Sequence, residues 1–303
     1  MRPARFDPHP EDMPNDLAAF SSGLAAIVAK TAPSVVAVHA RHRYPSSGVF
    51  WRPGVIVTAE HTLRRDDDIA VTLPDGTTVP ATLAGRDPGA DLAALRVEAP
   101  APDLPKAAPP AAGSVVLTVG RSPDSGPNAT MGIVSALSGE WRTWRGGRLD
   151  HYIRLDLTLY PGSSGAAVVD IEGRAIGIAS SALSRIAGLA IPAVTIDRIV
   201  DELLARGHVA RGYLGLGLQP VELPDHRKGL IVVSLEPGGP AAQAGVIIGD
   251  VLLALGGQAA QDTDDLPGVL ESHGVGRPVE AEVLRGGDSR KLSIVIGERP
   301  RRS

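Results

Sequence analysis

A serine hydroxyl is a weak nucleophile at neutral pH, and it attacks a carbonyl only beside a general base, a group that orients that base, and donors for the developing oxyanion. Residues 156–170 of this 303-residue chain put a serine where such help can converge. A β-rich segment runs into Pro161-Gly162, presents Ser163-Ser164 between small residues, and resumes as an apolar strand from Ala166. Eight histidines are available as the base, and position separates them. His61 comes three residues after a strand read over 54–58, where one helical turn would aim its ring into a cleft. Asp91 lies 30 residues further on, at the mouth of a buried strand over 92–97, where a carboxylate can accept from an imidazole N–H. Ser164 follows after another 73 residues. Singly, these are a turn serine, a surface histidine and a cap or turn aspartate; jointly they read as a nucleophile, its base and the group that orients the base.

The elements that would position them are mostly strands. Short β-branched runs at 34–40, 54–58, 69–73, 79–83, 92–97 and 114–119 are separated by turn residues, among them Pro74-Asp75-Gly76. The pattern continues at 131–137, 152–158, 166–169, 175–179 and 188–191, and such spacing predicts a barrel or a sandwich. Helical periodicity predicts an N-terminal amphipathic helix with Leu17, Phe20, Leu24, Ile27 and Val28 on one face, behind a proline-rich flexible arm over 1–14. A second helix is read over 195–206, closed by Gly207. Beyond it, strands at 212–218, 229–234, 251–255, 279–284 and 291–296, with helices at 240–244 and 263–273, form a separate module. The expected divisions are 1–31 for the arm and first helix, 32–207 for the larger domain and 211–298 for the smaller.

Composition narrows the function classes. A formal net charge of −4 without a basic patch gives no reason to expect nucleic acid or an anionic membrane as partner. The absence of cysteine removes disulfides, thiolate metal sites and cysteine nucleophiles, and no H-E-x-x-H motif is present. The longest early apolar run, residues 17–29, is too short to span a bilayer, and acidic residues precede it where a basic leader segment belongs. Read this way the sequence carries no signal peptide, an expectation that points to the cytoplasm.

The succession Thr58-Ala59-Glu60-His61, Asp91-Leu92-Ala93-Ala94-Leu95, Gly132-Ile133-Val134-Ser135-Ala136-Leu137, Pro161-Gly162-Ser163-Ser164-Gly165 and Ala190-Ile191-Pro192 resembles the HtrA (Deg) family of serine proteases. Tyr213-Leu214-Gly215-Leu216, Pro240-Ala241-Ala242-Gln243-Ala244-Gly245 and Gly249-Asp250-Val251-Leu252 extend the resemblance into that family's C-terminal PDZ domain, so that it covers about residues 32 to 298. It implies a mainly β protein, a chymotrypsin-like double β-barrel protease domain followed by a small β-rich PDZ domain with two helices. By the same resemblance Ser164 would be the nucleophile, His61 the general base and acid, and Asp91 the residue that fixes the imidazole tautomer. The N–H groups of Gly162 and Ser164 would form the oxyanion hole with Ser163 N–H nearby. Leu159, Ile178, Ser180, Gly188 and Ala190 would wall a specificity pocket for small aliphatic side chains. In the PDZ domain, Tyr213, Leu214, Gly215 and Leu216 would form the carboxylate loop and edge strand, with Leu266, Val269 and Leu270 lining the peptide groove.

No cofactor or metal is implied. Unfolded polypeptides and peptide C-termini would be the partners, a homotrimer the assembly, and a periplasmic or otherwise extracytoplasmic compartment the location, against the missing leader. The chain departs from the family pattern at Ser163, where asparagine is usual, and at Ala166-Ala167, where Gly-Pro is usual. Two functions of different class therefore stand: a serine endopeptidase acting on unfolded or misfolded chains, and a catalytically silent scaffold or holdase that binds peptides, with residues 162–167 deciding between them.

Overall fold

The computed structural model describes residues 13–41, 44–100, 102 and 104–299. The arm expected over 1–14 therefore lies outside the described residues for its first twelve positions. The chain divides between Val209 and Ala210 into two compact units.

In the first unit, strands β1 (Val35–His39), β2 (Ser46–Arg52), β3 (Val55–Ala59), β4 (Ile69–Thr72), β5 (Thr78–Asp87) and β6 (Leu92–Arg96) close into a barrel in the order β1-β2-β3-β6-β5-β4. Strand alternation splits the side chains between two cores. On β1, Val36 and Val38 fill the barrel with Phe50, Ile56, Val71 and Leu95, while Val35 faces a second core shared with the next barrel. β2 was not expected, because Ser46-Ser47-Gly48 reads as a turn. The barrel interior explains the glycine: a Cβ at Gly48 would lie 2.8 Å from methyl groups of both Ile56 and Val38.

The second barrel contains β7 (Val115–Ser122), β8 (Gly126–Ser138), β11 (Tyr152–Asp156), β12 (Ala167–Val169), β13 (Ala175–Ser180) and β14 (Gly188–Pro192), ordered β11-β14-β13-β12-β7-β8. Between β8 and β11, a small hairpin pairs β9 (Trp141–Arg142) with β10 (Arg148–Leu149). On β12, Val168 points into the barrel with Val116, Ile153 and Ile176, whereas Ala167 and Val169 join the shared core with Val57, Leu92 and Ile178. Helix α2 (Ala193–Arg206) seals that core with Ile196, Ile199 and Leu203, and Gly207 ends it at φ 78° with its N–H on the Leu203 carbonyl. Helix α1 (Met13–Thr31) packs through its second half, where Leu24, Ile27 and Val28 touch the core, whereas Leu17 and Phe20 stay 67% and 54% exposed.

In the second unit, β16 (Leu216–Glu222), β17 (Lys228–Leu235), β18 (Val251–Leu255), β20 (Pro278–Arg285) and β21 (Asp288–Val295) form a sheet in that order, with β19 (Gln258–Ala259) paired to β18. β15 (Gly212–Tyr213) pairs with β22 (Gly297–Glu298). Helices α3 (Pro240–Gln243) and α4 (Leu266–His273) cover one core, and Asp262 and Asp265 form a capping box at the turn that leads into α4. Among the described residues no helix is long and apolar enough to cross a membrane. Nor do three or more His, Asp or Glu side chains cluster there as a metal site would require.

Candidate active site

Strand ends from both barrels converge on one cleft. β3 ends in a single 3-10 turn over Glu60–Thr62, and that turn carries His61. β5 runs into a tight connection to β6 that holds Asp91 at φ 55°, in the left-handed region. The contacts Asp91 makes offset the strain of that conformation. Its carboxylate is 1% exposed, and both oxygens lie 2.9 Å from His61 Nδ1. Oδ1 also accepts the His61 backbone N–H at 2.9 Å, and Oδ2 accepts the Ser180 hydroxyl at 2.5 Å. The imidazole is thus held with Nδ1–H toward the carboxylate and Nε2 left for the cleft, the tautomer a general base needs.

Ser164 comes from the segment between β11 and β12. Tyr160-Pro161-Gly162-Ser163 is a type II turn: proline stands second, glycine third at φ 95°, and Ser163 N–H donates to the Tyr160 carbonyl at 2.9 Å. The Ser163 N–H, expected near the oxyanion hole, is thereby spent inside the turn. Those of Gly162 and Ser164 donate to no acceptor among the described residues and remain free for a ligand oxygen. Ala166 keeps a negative φ, so the missing glycine at this position brings no backbone strain. Gly165, by contrast, sits at φ 85° with Ser47 carbonyl oxygen 2.1 Å from where a Cβ would be.

Ser47, on β2, ties this loop to the opposite barrel. Its N–H donates to the Ser164 carbonyl at 3.2 Å, and its hydroxyl donates to the Gly162 carbonyl at 2.9 Å while accepting the Arg121 N–H at 3.1 Å.

A cavity of about 340 Å³ opens over these groups. His61, Thr62, Arg41 and Tyr44 line it from the first barrel, and Leu159, Tyr160, Pro161, Gly162, Ser164 and Ser181 from the second. His61 and Ser164 therefore share one cavity, with Asp91 behind His61. The Ser164 hydroxyl makes its hydrogen bond to the Ser181 hydroxyl at 3.0 Å.

Of the residues expected to wall a specificity pocket, Leu159 lines the cavity, and Gly188 lies under it, where a Cβ would meet Leu159 Cδ1 at 2.8 Å. The others do not line it. Ile178 belongs to the shared core, Ala190 to the interior of the second barrel, and Ser180 turns its hydroxyl to Asp91. The reason is that β13 is buried along its whole length, so the first residue able to face the cavity is the one beyond its end, Ser181. Ser181 closes the stretch 178–181 expected on the pocket wall, whereas Arg41, Tyr44 and Thr62 were not expected there. Arg41 at the end of a strand two positions past His39 and Thr62 directly after His61 were the available signals.

Glu60, next to His61, is nearly buried. Burial pushes its carboxyl up from the ordinary range, against the pull of Arg86, which contacts Oε1 at 3.3 Å. Arg145, from the β9–β10 turn, approaches Oε2 at 3.9 Å.

In the second unit, Leu266, Val269 and Leu270 are core residues, each under 10% exposed, packed with Leu230, Leu252 and Ile294. They pack against the sheet as part of that core. Gly215 lies at φ 77° in the turn between Leu214 and Leu216, and its carbonyl accepts the Glu236 N–H at 2.9 Å. Tyr213 belongs to the short ladder with β22. Among the described residues β16, which Leu216 opens, pairs only with β17, so its other edge takes no strand there.

Comparison with known proteins agrees with this geometry. Residues 46–178 match the trypsin-like peptidase domain, and residues 212–296 match the PDZ domain. Paired six-stranded barrels, with a His-Asp pair facing a serine turn, make the first unit a chymotrypsin-like serine protease domain, and the second is a PDZ domain. The HtrA-type protease AlgW, solved with a tripeptide, is 30% identical, superposes with a TM-score of 0.72 and is covered over 98% of its chain by 92% of this one. The chain belongs to the HtrA family of serine proteases. The serine endoprotease of Yersinia pestis is 29% identical with a TM-score of 0.76, covering 91% of this chain and 98% of that one. The probable periplasmic serine endoprotease DegP-like of Brucella suis biovar 1 is 33% identical over 280 residues, 86% of this chain and 54% of the relative. Protease Do-like 1, chloroplastic, of Arabidopsis thaliana is 32% identical over 84% of this chain and 64% of its own. The chain thus spans about half to two thirds of the length of these curated relatives, which are periplasmic or chloroplastic by name.

Proposed function

We propose that this chain is a serine endopeptidase that cleaves unfolded or misfolded polypeptides through His61, Asp91 and Ser164. The observation that carries the reading is the His61–Asp91 hydrogen bond at 2.9 Å, with the imidazole and Ser164 opening onto one cavity. His61 takes the Ser164 proton as the hydroxyl attacks the scissile carbonyl, Asp91 stabilises the imidazolium, and His61 returns the proton to the departing amine. The free N–H groups of Gly162 and Ser164 receive the oxyanion, each such donor being worth about 2.7–4 kcal/mol in the transition state. Leu159 beside the nucleophile, with no carboxylate on that wall, favours small aliphatic side chains on the acyl side. The free edge of β16 takes the C-terminus of a peptide as an added strand next to the Gly215 turn. The exposed Leu17 and Phe20 on α1 suit burial against further copies of the chain, as in a homotrimer.

A fluorophosphonate probe tests the core of this reading. Wild-type protein is expected to be labelled and Ser164→Ala not. A folded wild type that stays unlabelled, with or without a PDZ-binding peptide, would favour the peptide-binding scaffold instead.

A further inference from the structure

The two walls of the cavity differ in charge. Leu159, Tyr160, Pro161, Gly162 and Ser181 bring no ionised group, whereas the wall beside His61 carries Arg41. Three arginines around the first-barrel side of the site have carboxylates: Arg65 pairs with Asp68 at 3.3 Å, Arg86 with Asp66 and Glu60, and Arg145 with Glu60. Arg41 has none among the described residues. Its Nε–H donates to the Tyr44 carbonyl, which holds the side chain along the cleft without neutralising it. Burial, and then the like charge of Arg64, pull the guanidinium down from its ordinary value, as befits a cation lacking a counter-ion. Arg64 is held close because its N–H bonds the Ala40 carbonyl at 3.0 Å.

Chemistry tells which half of a substrate meets this charge. The histidine that accepts the serine proton must hand it to the leaving amine, so the departing half of the peptide lies on the His61 side. Arg41, Tyr44 and Thr62 occupy that side. We propose that Arg41 is a specificity residue that selects polypeptides carrying aspartate or glutamate within the first residues after the scissile bond. The inference rests on the proteolytic reading of the site. A partly desolvated guanidinium with no carboxylate partner among the described residues gains one at little cost in its own hydration, and it disfavours a lysine there by direct repulsion.

One portion of the full chain is treated with a neutral fluorophosphonate to score labelling, and a separate, untreated portion is given quenched peptides identical except for Glu, Gln or Lys at each of the three positions after the cleavage point. Wild type is expected to cleave the best Glu peptide about fivefold faster in kcat/KM than its Gln counterpart, and the Lys peptide more slowly still. Arg41→Glu should reverse the order of Glu and Lys, Arg41→Lys should keep it, and raising salt from 0.05 to 0.5 M should shrink the wild-type preference without any substitution. Labelling together with equal rates for Glu and Lys peptides, or a preference unchanged in Arg41→Glu, would overturn the inference alone. Failure of the wild type to be labelled would remove the proteolytic reading and this inference with it.

Discussion

Two buried aspartates, one in each unit, show how differently a fold can neutralise a carboxylate. Asp250 is 0% exposed and meets a permanent cation: Arg285 donates to Oδ1 and Oδ2 at 2.7 Å each, with Ile247 N–H on Oδ2 at 3.0 Å. Asp91 is 1% exposed and is held by neutral donors alone, the His61 ring, the His61 N–H and the Ser180 hydroxyl. The first arrangement cancels the charge and locks β18 to β20. In the proposed mechanism the second leaves the charge uncancelled until His61 takes up the Ser164 proton, which is the moment at which the reaction needs it. The same residue type at the same burial is structural in one unit and, in the proposed mechanism, functional in the other because of the partner's charge.

The largest test of that contrast is Asp91→Asn. It keeps the shape but cannot hold the imidazole in the required tautomer, so kcat in a peptide assay is expected to drop about 10⁴-fold. Asp250→Ala should leave fluorophosphonate labelling intact and destabilise the PDZ unit by about 3 kcal/mol in urea denaturation, the low end for a broken buried pair because Arg285 keeps solvent access.

The pH dependence sharpens the second case. The Arg285 hydrogen bonds, outweighing burial, hold the Asp250 carboxyl below the ordinary range. Its stabilisation is therefore complete above the unfolded value of about 3.9 and is lost as pH falls through the lower folded value. Urea melts between pH 5 and 2 should show an acid loss of stability that is smaller in Asp250→Ala than in wild type. The smallest effect is expected from Ser180→Ala, which removes one charge-assisted hydrogen bond from Asp91 and should lower kcat about tenfold with KM little changed.

Much of this was legible in the chain because strand ends are where β-barrels expose side chains. His61, Asp91 and Ser164 each follow or precede a recognisable β-branched run, and their order survives translation into space. Gly207 marked a helix end, and Asp75-Gly76 a hairpin, for equally local reasons. What was not legible depended on which faces are covered. Ile178 and Ala190 looked like pocket residues until β13 and β14 turned out to be buried on both sides, and Ser180 found its use on a carboxylate 89 residues away. Ser46-Ser47-Gly48 carries the composition of a turn, yet the barrel demands a small residue at Gly48, and the Ser47 hydroxyl bridges to the other barrel. No local pattern announces such a contact.

Ser47 also carries a consequence for how the protein would fail. The turn that bears Gly162 and Ser164 is registered against a strand of the other barrel through two hydrogen bonds from one residue. Each barrel has its own apolar interior and could hold its strands through a small mutual slip. The Gly162 and Ser164 N–H groups proposed as oxyanion donors could not, because their reference point would move away from them. On heating, the capacity to turn over substrate should therefore fade while the circular dichroism of the strands is still intact, and should return on cooling as long as neither barrel has opened.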